Sequence, residues 1–209
     1  MSWRVERRSL SAAAFHALDL PDPAERAVWV ADPTGPALVL GSTQPATDVR
    51  PGVDIDVVRR RSGGGAVLVI PGDVLWVDVI VPSGDALWDD DVARASHWLG
   101  DAWAAALGEL GVDGEVHRGR LVRSPWSAVV CFAGVGPGEV SVDGRKAIGI
   151  SQRRTRAAAR FQCAALARWD PSALADLLVD VDVDAIAAVA TGTGVPLDDL
   201  LAAFLRHLP

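Results

Sequence analysis

One lysine, Lys146, stands among the 20 basic residues of this 209-residue chain; every other one is arginine. A composition rich in Ala, Arg, Asp, Val and Gly is what a GC-rich coding bias produces, with arginine replacing lysine wherever either cation serves. A retained lysine then marks a position that needs a compact ammonium, unless it stands by chance on a solvated turn. Lys146 follows the tight-turn dipeptide Asp143-Gly144 and opens a strand. Gly149 sits in the interior of that strand, where glycine weakens a sheet unless something must approach closely. An ammonium beside such a gap suits a carboxylate or phosphate, and would stabilise charge in an acyl-phosphate transition state.

A second segment, Arg59-Arg60-Arg61-Ser62-Gly63-Gly64-Gly65-Ala66-Val67, lies between two expected strands. Three successive glycines remove every Cβ from a stretch of backbone, which can take positive φ and lie against a ligand with its N–H groups free to donate. The arginines upstream can fork onto phosphate or carboxylate. Gly-Gly-Gly alone would equally serve as a flexible loop with solvated arginines; RRRS before it and an apolar strand after it favour the ligand loop. It is no Walker A loop, because Gly65 is followed by Ala-Val-Leu rather than Lys-Ser/Thr, and no GxGxxG opening a helix.

Other reactive residues are sparse. Cys131 lies in the apolar run Val130-Cys131-Phe132, ahead of the lysine hairpin. A thiolate near Lys146 would be an activated nucleophile; the competing reading is a buried structural cysteine. Cys163 reads as core. His16, His97, His117 and His207 form neither a metal-ligand spacing nor a Ser–His–Asp pattern, so no metal site is expected. Asp89-Asp90-Asp91 reads as a helix start, and Thr191-Gly192-Thr193-Gly194 as a loop between helices.

These residues need a scaffold. Helices are expected at Ser9–Leu20, Leu87–Leu110 (with Gly100 bending or dividing it), Pro171–Leu178, Val183–Ala190 and Leu197–Leu208. Strands are expected at Ala27–Ala31 and Ala37–Gly41, as a hairpin, and at Val53–Arg60, Val67–Ile70, Val74–Val81, Ala128–Phe132 and Phe161–Arg168. Glu139–Val142 and Lys146–Gln152 form a second hairpin. The pattern is α+β: a central mixed or antiparallel sheet flanked by helices, in a single domain over residues 1–209. Half the residues are apolar and 22% charged, which supports a sizeable core. The net charge of -7 argues against a broad nucleic-acid-binding face. Two cysteines make no disulfide framework. No apolar run approaches a membrane span and no good signal peptide opens the chain, so a cytoplasmic protein is expected.

RRRSGGGAV followed about eighty residues later by VDGRKAIGISQRR resembles the lipoate–protein ligase A family, within the biotin/lipoate A/B ligase and acyltransferase superfamily. Ala37-Leu-Val-Leu-Gly-Ser-Thr-Gln44 also resembles that family's early strand with its Gly-x-x-Gln ending. The resemblance covers roughly residues 5 to 205. It implies the biotin/lipoate ligase catalytic-domain fold with a tunnel for an eight-carbon acyl chain. It further implies activation of lipoate or octanoate by ATP, with Mg2+, to an acyl-adenylate. The acyl group then passes to a lysine on a lipoyl carrier domain, in a 2-oxoacid dehydrogenase subunit or a glycine cleavage H protein. Under it, Arg60, Ser62, Gly63, Gly64, Gly65 and Ala66 form the loop over the acyl-adenylate. Lys146 contacts acyl carbonyl and phosphate, and Gly149 and Ser151 line the same pocket. In related octanoyltransferases a cysteine at the place of Cys131 carries the acyl group, the ATP-independent alternative; a non-catalytic acyl-binding homologue is a third reading. The chain departs from the family pattern at Val69 and Ile70, where His-Asp is usual, at Gly149-Ile150-Ser151 for Gly-Ser-Ala, and at Gln162-Cys163-Ala164 for Gln-His-Gly. No accessory C-terminal domain like that of the larger ligases is expected.

Overall fold

The computed structural model describes residues 2–209. Its main body is a seven-stranded sheet built from β1 (Arg4–Leu10), β2 (Ala27–Pro33), β6 (Val74–Pro82), β7 (Glu115–Val116), β10 (Val140–Val142), β11 (Arg145–Arg154) and β12 (Ala158–Leu166). The strand order is β1-β2-β6-β12-β11-β10-β7. Only β1 and β2 pair in parallel, so the sheet is mixed. The interior strand β6 is buried on both faces, which is why it reads as an almost unbroken apolar run. Its alternation still sorts the faces: Leu75, Val77, Val79 and Val81 join one cluster, Trp76 and Ile80 another.

On the first face lie α2 (His97–Glu109) and α5 (Leu197–His207), locked by Trp103 stacked on Phe204. On the second face lie α1 (Ala12–Ala17) and a small sheet of β3 (Ala37–Leu40), β4 (Asp56–Arg59) and β5 (Val67–Val69), in the order β4-β3-β5. Phe15, Val39 and Val69 pack there against Trp29, Trp76 and Ile80. Two short helices, α3 (Pro171–Ala175) and α4 (Val183–Ala187), close one end over Leu38, Leu40 and Val130. A two-stranded ribbon, β8 (Val122–Arg123) with β9 (Gly134–Val135), completes the fold.

Several expectations are corrected. β1 occupies Arg4–Leu10, where no strand was expected; its edge position leaves alternate side chains in water, so its charged residues hide the pattern. The helix expected over Ser9–Leu20 shrinks to α1. The expected hairpin of Ala27–Ala31 and Ala37–Gly41 does not form, since β2 and β3 belong to different sheets. Asp89–Asp91 does not start a helix. Asp89 and Asp91 accept N–H groups two residues on, in turns, and α2 begins only at His97. Gly100 does not divide α2, which runs unbroken through it; a Cβ there would lie 2.3 Å from the Gly138 carbonyl oxygen, so glycine lets the helix seat against that loop. Ala128–Phe132 is turn and one 3-10 turn (Cys131–Ala133) rather than strand. It pairs with the chain only through a single parallel bridge, Ala66 to Val130.

One irregularity decides the site. Ser141 pairs with Lys146 and Val140 with Ile148, so Ala147 is an extra residue on β11. Strict alternation would send Lys146 to the opposite face from Gly149 and Ser151. The bulge shifts the parity by one residue, and all three line one cavity.

Candidate active site

Between the large sheet, the small sheet and the 121–136 segment lies a cavity of about 880 Å³. Cross-strand register defines its floor. Gly149, Ala164 and Trp76 form one row across β11, β12 and β6; Ser151, Gln162 and Asp78 form the next. Two small residues beside a tryptophan leave a slot with one aromatic wall. Val39, Val67, Val69 and Phe132 add apolar surface.

Lys146 is 2% exposed, not on a solvated turn. Its side chain runs along β11 over Gly149, where a Cβ would sit 3.3 Å from the lysine Cε. Its Nζ donates to the carbonyls of Cys131 (3.1 Å) and Gly134 (2.9 Å) and pairs with Glu139 Oε2 at 2.7 Å. Three N–H groups therefore meet three acceptors. Phe132 presents its ring 5.0 Å away. Glu139 is fixed in turn: Oε2 accepts from Gly136 N–H at 2.6 Å, Oε1 from Ile150 N–H at 3.0 Å. Glu139 was missed in the sequence; its place one residue ahead of β10, in the strand that pairs with the lysine strand, was the available signal.

The triple-glycine loop faces the same cavity through Gly63 and Gly64, whose N–H groups have no partner within the described residues. Gly64 has φ +95°, a backbone that disfavours any side chain. Gly65 is buried, and a Cβ there would lie 2.4 Å from Val130 N. Ala66 is likewise buried, its N–H and carbonyl bonded to Val129 and Cys131. Arg60 is only 5% exposed. Its guanidinium donates to the carbonyls of Gly63 and Gly65 and reaches Cys131 Sγ at 3.6 Å, so it wires the loop rather than standing in water. Arg59 does the same for the preceding turn, donating to the carbonyls of Gly41 and Gln44. Gln44, from the Gly-x-x-Gln ending, is buried and bonds Val129. Ser62 Oγ donates to Ser151 Oγ at 3.1 Å, tying the loop to β11.

Cys131 thus bridges both halves of the site: its sulfur faces Arg60 while its carbonyl holds Lys146. It is half-buried on the cavity wall. Cys163 is fully buried with its side chain in the helix-packed core, and burial pushes its thiol well up. Ile70 lies away from the cavity, in a minor depression beside Trp169; Val69 makes its wall apolar.

A further polar cluster was not foreseen. His16, on α1, packs on Trp76 with ring centroids 4.6 Å apart, and its Nδ1 lies 3.3 Å from Gln162 Nε2. Burial first, then the positive Arg160 and Arg60, pushes His16 down to about 3. Asp78, wholly buried, takes donors from Arg160, Trp76 and Gln162; burial nevertheless pushes its carboxyl upward. Near Ser62 and Ser151, Arg61 and Arg153 lie close enough to repel, and burial together with that repulsion lowers Arg153 below the usual arginine value.

Residues 14–200 match the model of the lipoyl protein ligase A/B catalytic domain. The chain belongs to this family. It is accordingly an enzyme of the ligase/transferase class. Solved structures agree on the fold. A bi-partite lipoate protein ligase from Thermoplasma acidophilum, studied with its E2 lipoyl domain, is similar at TM-score 0.73 and 18% identity, with 99% of this chain and 82% of that one covered. Another structure from that organism, with bound lipoic acid, gives 0.71 at 18% identity over 99% and 84%. A lipoate-protein ligase A bound with ATP gives 0.71 at 19% identity over 99% and 84%. A comparison with curated proteins finds no match. Among the described residues, no helix is long and apolar enough to cross a membrane.

Proposed function

We propose that this protein activates lipoate or octanoate with ATP and transfers the acyl group to a lysine of a lipoyl carrier domain. The observation that carries the reading is the single cavity shared by the buried Lys146 ammonium and the unpartnered N–H groups of Gly63 and Gly64. The neighbours with bound lipoic acid and with ATP, and the one described with its E2 lipoyl domain, support this choice of substrates and partner.

In the first step a carboxylate oxygen attacks the α-phosphorus of ATP and pyrophosphate leaves. In the second the carrier's amine attacks the acyl carbonyl, AMP leaves with the bonding pair, and the amine loses a proton. Both steps build negative charge on oxygen. Lys146 and the bare N–H groups of the glycine loop answer that charge from fixed positions. All three lysine donors are engaged, so an incoming acyl oxygen takes the place of one acceptor, and the Cys131 carbonyl at 3.1 Å is the longest of the three contacts. Arg61 and Arg153, close enough for their charges to repel, suit the nucleotide's phosphates. No group of three His, Cys, Asp or Glu among the described residues is arranged to hold a metal. Magnesium accompanying ATP would be held mainly by the nucleotide's phosphates, whose charge it would neutralise.

Lipoate- or octanoate-dependent exchange of pyrophosphate into ATP tests the reading. Exchange abolished by Lys146→Ala supports it; no exchange by folded protein with either acid refutes it.

The placement of Cys131 favours a second reading, in which its thiolate attacks an octanoyl thioester and the donor's thiolate leaves; the carrier lysine's amine then takes the acyl group, releasing the Cys131 thiolate, without ATP. Arg60 beside the sulfur would stabilise the thiolate. Mass spectrometry after incubation with octanoyl carrier protein decides it: an adduct lost in Cys131→Ser supports this route, and no adduct removes it.

A further inference from the structure

Gln162 fixes the protonation of His16. Asp78 Oδ2 lies 3.2 Å from the Gln162 side chain and is already surrounded by donors. A carboxylate oxygen accepts, so the amide must turn its NH2 toward Asp78. That same NH2 faces His16 Nδ1, which therefore accepts the second hydrogen. Burial, with Arg160 and Arg60 nearby, keeps the imidazole neutral. A neutral ring accepting at Nδ1 must carry its proton on Nε2. His16 lines the cavity, and its Nε2 is not among the buried polar atoms left without a partner. The result is a fixed N–H donor on the cavity wall, beside Trp76 and the row of Ser151 and Gln162.

Its location defines what it meets. Gln162 pairs with Ser151, two residues beyond Gly149, hence about 7 Å further along the strands from the row under the Lys146 side chain. A carboxyl held at Lys146 would send its chain over Gly149 and Ala164, along Trp76, toward this donor.

We infer that His16 is a specificity residue that selects acids of about eight carbons whose far end carries a hydrogen-bond acceptor, with sulfur or oxygen, over a plain alkyl tail. This deepens the proposed function and rests on its placement of the carboxyl at Lys146. Gln162 acts as a positioning residue, through the tautomer it enforces. An alkyl end would leave the Nε2–H without a partner once water is expelled, and that asymmetry is the source of the selection.

The test is calorimetric binding of lipoic acid, 8-hydroxyoctanoic acid and octanoic acid to wild type, His16→Phe and His16→Gln. Phenylalanine keeps a ring against Trp76 but removes the donor; glutamine retains a donor. Wild type is expected to bind the two acceptor-bearing acids about 3- to 10-fold more tightly than octanoic acid. His16→Phe should lose that preference while still binding octanoic acid, which also reports that it is folded. His16→Gln should recover part of it. An unchanged preference in His16→Phe, or no preference in wild type, overturns the inference while leaving the proposed function standing. Failure of wild type to bind any of the three acids overturns both.

Discussion

Removing the carboxylate at Glu139 should reveal how firmly the Lys146 ammonium is held. The pair is 2.7 Å apart with side chains only 2% and 8% exposed, so water screens it little. At an effective dielectric constant of about 20, the gross attraction is about 6 kcal/mol. Desolvation of both groups offsets most of that, yet removing one partner strands the other. Glu139→Gln is therefore expected to cost about 3–5 kcal/mol. Glutamine also turns an NH2 toward either the Gly136 or the Ile150 N–H, both of which now donate to carboxylate oxygens. Lys146→Met should likewise destabilise, leaving the carboxylate buried against two backbone N–H groups. The double variant should be far less damaged than the two losses added together, because neither ion is then stranded. Urea unfolding of the four proteins at pH 7 measures the coupling, expected at about 2 kcal/mol or more. Losses that add to within about 0.5 kcal/mol would refute the buried-pair argument.

Other expectations follow from the same geometry. Gly65→Ala should lower stability by about 1–3 kcal/mol, because its Cβ would meet the backbone of Val129 and Val130, whereas Gly63→Ala, with open space around it, should unfold like wild type in a thermal melt. Arg60→Lys should loosen the glycine loop, since one ammonium cannot hold the Gly63 and Gly65 carbonyls and also reach Cys131 Sγ; faster hydrogen exchange at the Ala66 N–H, which bonds Val129, is the readout. His16 sets a pH dependence. Its folded value of about 3 lies below the usual 6.5, so between these limits the unfolded chain binds the extra proton. Stability should fall as pH drops below about 6.5, by up to about 1.4 kcal/mol per unit from this group. The slope should be shallower in His16→Gln, measured by denaturant unfolding at pH 5, 6 and 7.

Much of the candidate site is legible in the sequence. Lysine scarcity singled out Lys146, and the triple glycine singled out the loop, because both are choices of residue type that local backbone and charge requirements dictate. Gly149 was readable for the same reason, whereas Ser151 came only from the family resemblance. The sheet's main strands were readable too, since alternation and buried apolar runs are local patterns. The limits of α2 were not, because a run of turns at 85–96 and a helix share the same apolar and acidic residues, and only packing against β10 and α5 chooses between them. Nor could the sequence place Cys131 in a 3-10 turn, since Val-Val-Cys-Phe reads as strand in isolation.

What composition and motif determined by themselves was the kit: one ammonium, one side-chain-free loop, an apolar protein large enough to enclose a cavity. Tertiary structure decided how the kit is assembled. A single extra residue at Ala147 reverses the parity of β11 and brings Lys146 onto the face of Gly149 and Ser151, a fact of pairing register that no local pattern encodes. Likewise His16, Gln162 and Asp78 are distant in the chain and meet only because α1 lies across the sheet beside β6 and β12. Periodicity records which way a side chain points relative to its neighbours along the strand; which other elements it then faces is set by long-range packing.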